Sequence, residues 1–299
     1  MNPINTSTSP AIFWWKPAAW LRASGPDAAG FLQGQFTNDL ARLQPGGTVY
    51  GLWLNLKGKV VADSFVVRGS EQDDFWIGSY FSPAAVIRER LESNLIADEV
   101  VIEDQTEGWM GLTRLGAEVA TGDGVVGGVM FAGRRSREAA VETVFPLAGW
   151  DDMRARWAGA PELDEVAMTR RRIVAAIPAV PVDVGPADLP NEAGLETDAI
   201  SYTKGCYLGQ EVMARLKSMG RVRRRLWRVA GRAETLPPLP APLFGGGKPV
   251  GELRSAIAAG DGTGGFIGLA MLSLLVLPPD GLLALAADGP ADWRVTDTP

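Results

Sequence analysis

Cys206 is the only thiol in the chain, and its setting is chemically unusual. It stands in the run Thr203-Lys204-Gly205-Cys206-Tyr207-Leu208-Gly209-Gln210-Glu211-Val212-Met213-Ala214-Arg215, at what reads as the start of a helix. A helix N-terminus and the Lys204 ammonium would both favour a thiolate and an anionic ligand. The same cysteine could instead be a small buried hydrophobe, as free cysteines commonly are. Both readings stand on the residues alone.

Composition narrows the chemistry further. The chain has 299 residues, no histidine and one cysteine. Ser-His-Asp and Cys-His catalysis are excluded, as are His-ligated metals, and the commonest general base near neutral pH is missing. A single cysteine allows no disulfide within the chain. The chain by itself cannot ligate a cysteine-held iron–sulfur cluster or a Cys-rich zinc site, so no metal ligands are assigned. Carboxylates, lysines, tyrosines and one thiol remain, which suits a binding protein or an enzyme whose cofactor carries the hard chemistry. The formal net charge of −6 argues against a surface that coats DNA or RNA, while leaving room for a local basic patch.

Three separated strings carry a family resemblance. Lys204-Gly205-Cys206-Tyr207-Leu208-Gly209-Gln210-Glu211 resembles the signature of the YgfZ-type folate-binding proteins, relatives of the glycine-cleavage aminomethyltransferase. Phe31-Leu32-Gln33-Gly34-Gln35-Phe36-Thr37-Asn38-Asp39 resembles an N-terminal segment of the same proteins, although such amides more often tie down loops than bind ligands. Leu189-Pro190-Asn191-Glu192 is similar to the Pro-x-Glu element that precedes the cysteine motif. The match runs from about Trp20 to Leu226. It implies an α+β, GcvT-like multi-domain ring around a central folate cleft, closed by a small C-terminal β-barrel. It also implies tetrahydrofolate as cofactor, and iron–sulfur client or assembly proteins, tRNA-modifying ones among them, as partners.

On that resemblance Cys206 is the functional thiol, poised by Lys204. Glu192, Gly205, Tyr207, Gly209, Gln210, Glu211, Arg215, Gln35 and Asp39 are the candidate cofactor-binding residues. Glu192 is the preferred carboxylate for the donor edge of a pterin. Whether Cys206 attacks, ligates a metal in trans or forms a mixed disulfide is open. Two other readings stay in view: a tetrahydrofolate-dependent aminomethyltransferase, and a folate-independent scaffold that docks partners. The cysteine motif, which belongs to the accessory branch, weighs against the first.

The elements that must position these residues follow from pattern. Ser24-Gly25-Pro26-Asp27 reads as a helix start. Val49 to Leu56 and Val60 to Val67 read as a hairpin across Lys57-Gly58, and Phe75 to Tyr80 as a third strand. Ser82-Pro83 opens a helix whose Ile87, Leu91 and Leu95 share one face. Val100 to Ile102 and Trp109 to Leu112 return to strand, giving helices over a mainly antiparallel sheet. No alternating βαβ series with a glycine fingerprint is present, which argues against a dinucleotide-binding fold. A strand is expected at Val125 to Phe131, and a helix from Pro161 to about Ala176 with Leu163, Val166 and Ile173 as buried candidates. Arg170-Arg171-Arg172 within it is expected to be solvated.

Prolines 178, 181, 186 and 190 forbid a regular helix over Ile177 to Glu196. That loop presents Asp183, Asp188, Glu192 and Glu196, most of which are expected to be solvated or to cap helices. After the cysteine motif, Arg215, Lys217, Arg221, Arg223, Arg224, Arg225, Arg228 and Arg232 occur with no acid between Glu211 and Glu234. Such a run could receive a folate tail, a phosphate or an acidic partner, or could simply protect a strand edge from aggregation. Leu226 to Val229, Val250 to Ala256, Phe266 to Leu272 and Gly281 to Ala286 read as strands of a C-terminal barrel or sandwich. The division expected is residues 1–224 and 225–299. The first residues lack a secretory or transit pattern, and the apolar run Phe266 to Leu277 is too short to span a bilayer, so a cytoplasmic location without membrane contact is expected.

Overall fold

The computed structural model describes residues 10–71, 73–118, 127–260, 262 and 264–297. Among these residues the chain builds three antiparallel sheets. The first two strands, β1 (Ile12–Trp15) and β2 (Ala19–Ser24), are separated by a short bend at Lys16 to Ala18 and enter different sheets. β2 lies in a five-stranded sheet with β3 (Thr48–Leu54), β4 (Val60–Arg68), β5 (Asp74–Ser79) and β6 (Val101–Asp104), in the order β3-β4-β5-β2-β6. β1 joins β7 (Trp109–Leu115), β8 (Val129–Ala132) and β9 (Ala140–Pro146) in the order β1-β7-β9-β8.

The five-stranded sheet is covered on both faces, so its strands carry long apolar runs. Alternation along β4 sends Phe65 and Val67 to the central core, while Ala62 and Val66 pack under the helices α1 (Ala28–Gln35) and α2 (Ala84–Glu92). Ile87 and Leu91 are fully buried on that side, as their spacing requires. The central core also takes Trp15 from the four-stranded sheet and Leu226, Leu269 and Met271 from the third.

That third sheet comprises β10 (Arg224–Gly231), β11 (Ala241–Gly245), β12 (Lys248–Ala258), β13 (Phe266–Ser273), β14 (Leu282–Leu283) and β15 (Trp293–Asp297), ordered β11-β12-β13-β10-β15-β14. Phe244 and Ala284 exchange backbone hydrogen bonds of 2.9 and 2.8 Å, joining the two edges into a nearly closed barrel. Full closure removes exposed edges.

Several local expectations need correction. The region after β7 holds two strands, β8 and β9; of the strand expected at Val125 to Phe131, Val125 and Val126 lie outside the described residues. Trp150–Arg156 forms α3, which the pattern did not announce. The helix expected from Pro161 is α4 (Glu165–Val174), started by Asp164, whose carboxylate accepts the Ala167 N–H at 2.7 Å. Val166 is 49% exposed, not buried. Arg172 is buried, not solvated, and donates to Asp183 at 2.5 Å and to Ser255 at 3.1 Å, linking α4 and the proline-rich loop to the barrel. The Leu236 to Gly247 loop contains β11, and β15 was not foreseen.

Candidate functional site

The cysteine turn is stitched to the end of α1. A helix leaves its last carbonyls without intrahelical partners. Lys204 Nζ donates to the carbonyls of Gln33, Phe36 and Asn38 at 2.6, 2.6 and 3.0 Å, and the Leu208 N–H donates to Gly34 O at 3.1 Å. Thr37 Oγ1 reaches Ala199 O, Asn38 Nδ2 reaches Asp198 O, and the Ser201 N–H returns to Thr37 O. The two motifs that lie farthest apart in sequence are therefore one structural unit. Burial lowers the Lys204 ammonium to about 8, against the raising effect of Asp39. Its donors go to carbonyl oxygens, not to the Cys206 sulfur.

Cys206 itself is exposed, as is Gly205, so the buried-hydrophobe reading fails. Gly209 is the N-cap of α5 (Gln210–Met219), with φ +86°. An added Cβ there would lie 2.9 Å from Asn55 O on the β3–β4 turn, so both conformation and space select glycine. Tyr207 is buried beneath the turn, and burial raises its phenol to about 12. Glu211 pairs with Arg215 one helical turn on, at an exposed position. Gln35 accepts from Arg90 at 3.0 Å, and Asp39 accepts from Gln33 at 2.9 Å.

Glu192 sits elsewhere. Its carboxylate takes the Leu189 N–H at 2.8 Å and two contacts from Arg224 at 3.1 and 3.0 Å. Asp188 accepts from Gly185, Arg224 and Arg254. Burial pushes the Asp188 carboxyl up, but the hydrogen bonds from Arg254 and Gly185 and the nearby guanidinium charges outweigh it, leaving it below the usual carboxylate range. Asp183, Asp188 and Glu192 are thus buried and bonded, contrary to the expectation of solvated or capping acids. They clasp the proline-rich loop to α4 and the barrel.

Another concave feature lies where the sheets face one another. A cavity of about 480 Å³ is lined by Trp15, Tyr50, Tyr80 and Phe81, by Arg134 and Arg135, and by Asp63, with the acids Glu162, Asp164 and Glu165 at its outer rim. None of the candidate residues named from the sequence lines it. Asp63 is buried on β4 and accepts from Tyr50, Ser79 and Ser82 hydroxyls at 3.0, 2.8 and 2.7 Å. Burial nonetheless raises its carboxyl above the ordinary range. Arg134 stacks 4.2 Å from the centre of the Tyr50 ring and pairs with Asp198 at 2.8 Å. Arg135 is held 3.7 Å from the Tyr80 ring and 4.3 Å from the Trp15 ring.

Behind this wall Glu142 is fully buried and accepts from Thr113, Tyr80 and Trp15 at 2.7, 2.8 and 3.1 Å. Burial raises the Glu142 carboxyl and lowers the Arg135 guanidinium, while their mutual charge opposes both shifts. The result is an aromatic cavity with fixed cations and one buried carboxylate on its lining. The signal for it was a lone acid inside each of two apolar strands, Asp63 in Val60 to Val67 and Glu142 in Val141 to Phe145, since an acid in such a place must be bonded.

This architecture is that of a GcvT-like α+β protein. The chain superposes on the crystal structure of glycine cleavage system aminomethyltransferase T from Bartonella henselae with a TM-score of 0.77, over 97% of this chain and 86% of that one, at 16% identity. Residues 8–121 match the GCVT N-terminal domain model. Sequence relatives include the human mitochondrial iron–sulfur cluster assembly factor IBA57, at 29% identity over 92% of this chain and 83% of that protein. The tRNA-modifying protein YgfZ of Edwardsiella ictaluri is 26% identical over 75% of this chain and 71% of its own length. The chain is thus GcvT-like in fold and similar in sequence to the YgfZ and IBA57 proteins, the likeness that the Lys204 to Glu211 string implied. No helix among the described residues is long and apolar enough to cross a membrane.

Proposed function

We propose that the protein is a tetrahydrofolate-binding accessory factor for the assembly or repair of iron–sulfur enzymes, tRNA-modifying ones among them, with folate held in the central cavity and Cys206 serving at a separate surface. The observation that carries this reading is the cavity's chemistry. Its volume lies in the range typical of small-ligand sites, and its lining is aromatic with a few fixed polar groups. Tyr50, Tyr80, Trp15 and Phe81 offer plates for a heteroaromatic ring. Asp63 retains acceptor capacity for a ring N–H, and Arg134 and Lys16 offer cations for the carboxylates of a glutamate tail.

The accessory role rests on the relatives, whose names give iron–sulfur assembly and tRNA modification. The chain's own chemistry agrees with work done through partners. Among the described residues no group of three or more Cys, His, Asp or Glu side chains is placed to hold a metal, and the lone thiol is exposed. A cluster reaching this protein would need further ligands from the protein that delivers or receives it.

Calorimetric titration with tetrahydrofolate tests the reading. Wild type is expected to bind, and Asp63→Asn to bind about tenfold or more weakly, because a charge-assisted hydrogen bond is lost. Absence of binding to folded wild type would refute the folate assignment.

A further inference from the structure

A second concavity, of about 740 Å³, opens between the C-terminal half of α5, the linker 220–223 and the β13–β14 loop, on residues that do not line the central cavity. Two features of it are unsatisfied. Lys217, Arg221, Arg223 and Arg225 line it with a single carboxylate, Glu196. Arg215 and Arg224, their neighbours in sequence, have carboxylate partners, whereas Arg221 and Arg223 pair with none among the described residues. Next, Leu274 and Leu275 are 42% and 77% exposed at its rim, although the middle of the adjoining β13 is buried.

The two features ask for different things from one occupant. The cations require acidic groups, and the leucines an apolar side chain. Nucleic acid supplies anions but would meet Glu196 and leave the leucines uncovered. A polypeptide with acidic and apolar side chains supplies both.

We propose that this groove docks an acidic peptide segment of a partner protein, one that alternates carboxylate and leucine-like side chains. The assignment names the class of partner that the accessory role requires, and it rests on that role only to this extent; the folate cavity is tested separately. Electrostatic complementarity of this kind sets encounter rate and register more than raw affinity. The interaction is therefore expected to be of modest affinity and salt-sensitive.

Fluorescence anisotropy with a labelled peptide of alternating glutamate and leucine tests the proposal, beside a lysine–leucine peptide, a glutamate–serine peptide and an oligouridylate. The glutamate–leucine peptide is expected to bind, with the lysine–leucine and glutamate–serine versions at least about tenfold weaker. Arg221→Glu with Arg223→Glu, and separately Leu275→Ser, should each weaken it about tenfold or more while leaving the melting profile and tetrahydrofolate titration at wild-type values. No binding of the glutamate–leucine peptide to folded wild type would overturn the proposal. Binding indifferent to these substitutions, or preferential binding of the oligouridylate, would also overturn it. Because the folate titration is run on the same variants, failure here is distinguishable from failure of the central-cavity reading.

Discussion

The central cavity and the cysteine turn solve opposite problems with similar residues. In the cavity, charges are taken out of water and held there. Asp63 is fixed by three hydroxyls, Glu142 by Trp15, Tyr80 and Thr113, and Arg135 is caged by aromatic rings. At the turn, the buried charge is Lys204, spent wholly on the carbonyl end of α1, while the reactive atom of Cys206 is left exposed. One region encloses an aromatic, charged cavity, and the other builds a pedestal that presents a thiol. A motif rich in charged residues beside a cysteine therefore need not activate it; here the lysine is a helix cap, and display is the outcome.

The most forceful way to break this contrast is to remove the pedestal. Lys204→Met would strand the carbonyls of Gln33, Phe36 and Asn38 and is expected to cost about 3 kcal/mol, since unsatisfied buried acceptors pay their desolvation in full. Chemical denaturation measures it; a loss below about 0.5 kcal/mol, the level of an ordinary surface change, would show that the lysine is free for another task. Gly209→Ala comes next, at about 1–3 kcal/mol, because it combines a left-handed backbone with a Cβ 2.9 Å from Asn55 O. A neutral result in thermal unfolding would contradict the tight approach of α5 to the β3–β4 turn.

The clasp between the proline-rich loop and the barrel gives a pH signature. The Asp188 carboxyl titrates below its unfolded-state range, so its stabilising contribution is complete above the ordinary aspartate pKa and disappears as pH falls through the lower, folded-state value. Asp188→Asn should therefore lower stability at neutral pH and flatten the acid limb of the stability profile. An unchanged acid limb in urea titrations across pH would remove Asp188 from the clasp. The smallest effect belongs to Cys206→Ala. An exposed side chain with no packing role is expected to change stability by less than about 0.5 kcal/mol, and several kcal/mol of loss would restore the buried-hydrophobe reading.

The uneven legibility of the molecule has a physical cause. The cysteine turn was readable because Lys204, Cys206 and Gly209 fall within six residues of sequence, and the hairpin of β3 and β4 because alternation and a two-residue turn signal are local. The clasp was not readable: Asp188 meets Arg254 across 66 residues, and nothing in the loop's own sequence distinguishes a solvated acid from one awaiting a distant guanidinium. The cavity is the extreme case, drawn from β1, β3, β4, α4 and the segments before β9 and after β5. Arg172 illustrates the same limit, since a triple-arginine run looks like a solvated face until the packing of α4 against the barrel turns one of the three inward.

The central claim, that ligand site and thiol are separate, is tested most directly by tetrahydrofolate calorimetry on wild type, Cys206→Ala and Asp63→Asn in parallel. The account predicts equal affinity for wild type and Cys206→Ala, with Asp63→Asn weakened about tenfold or more. Loss of binding in Cys206→Ala with full binding in Asp63→Asn would place the folate at the cysteine turn and contradict it.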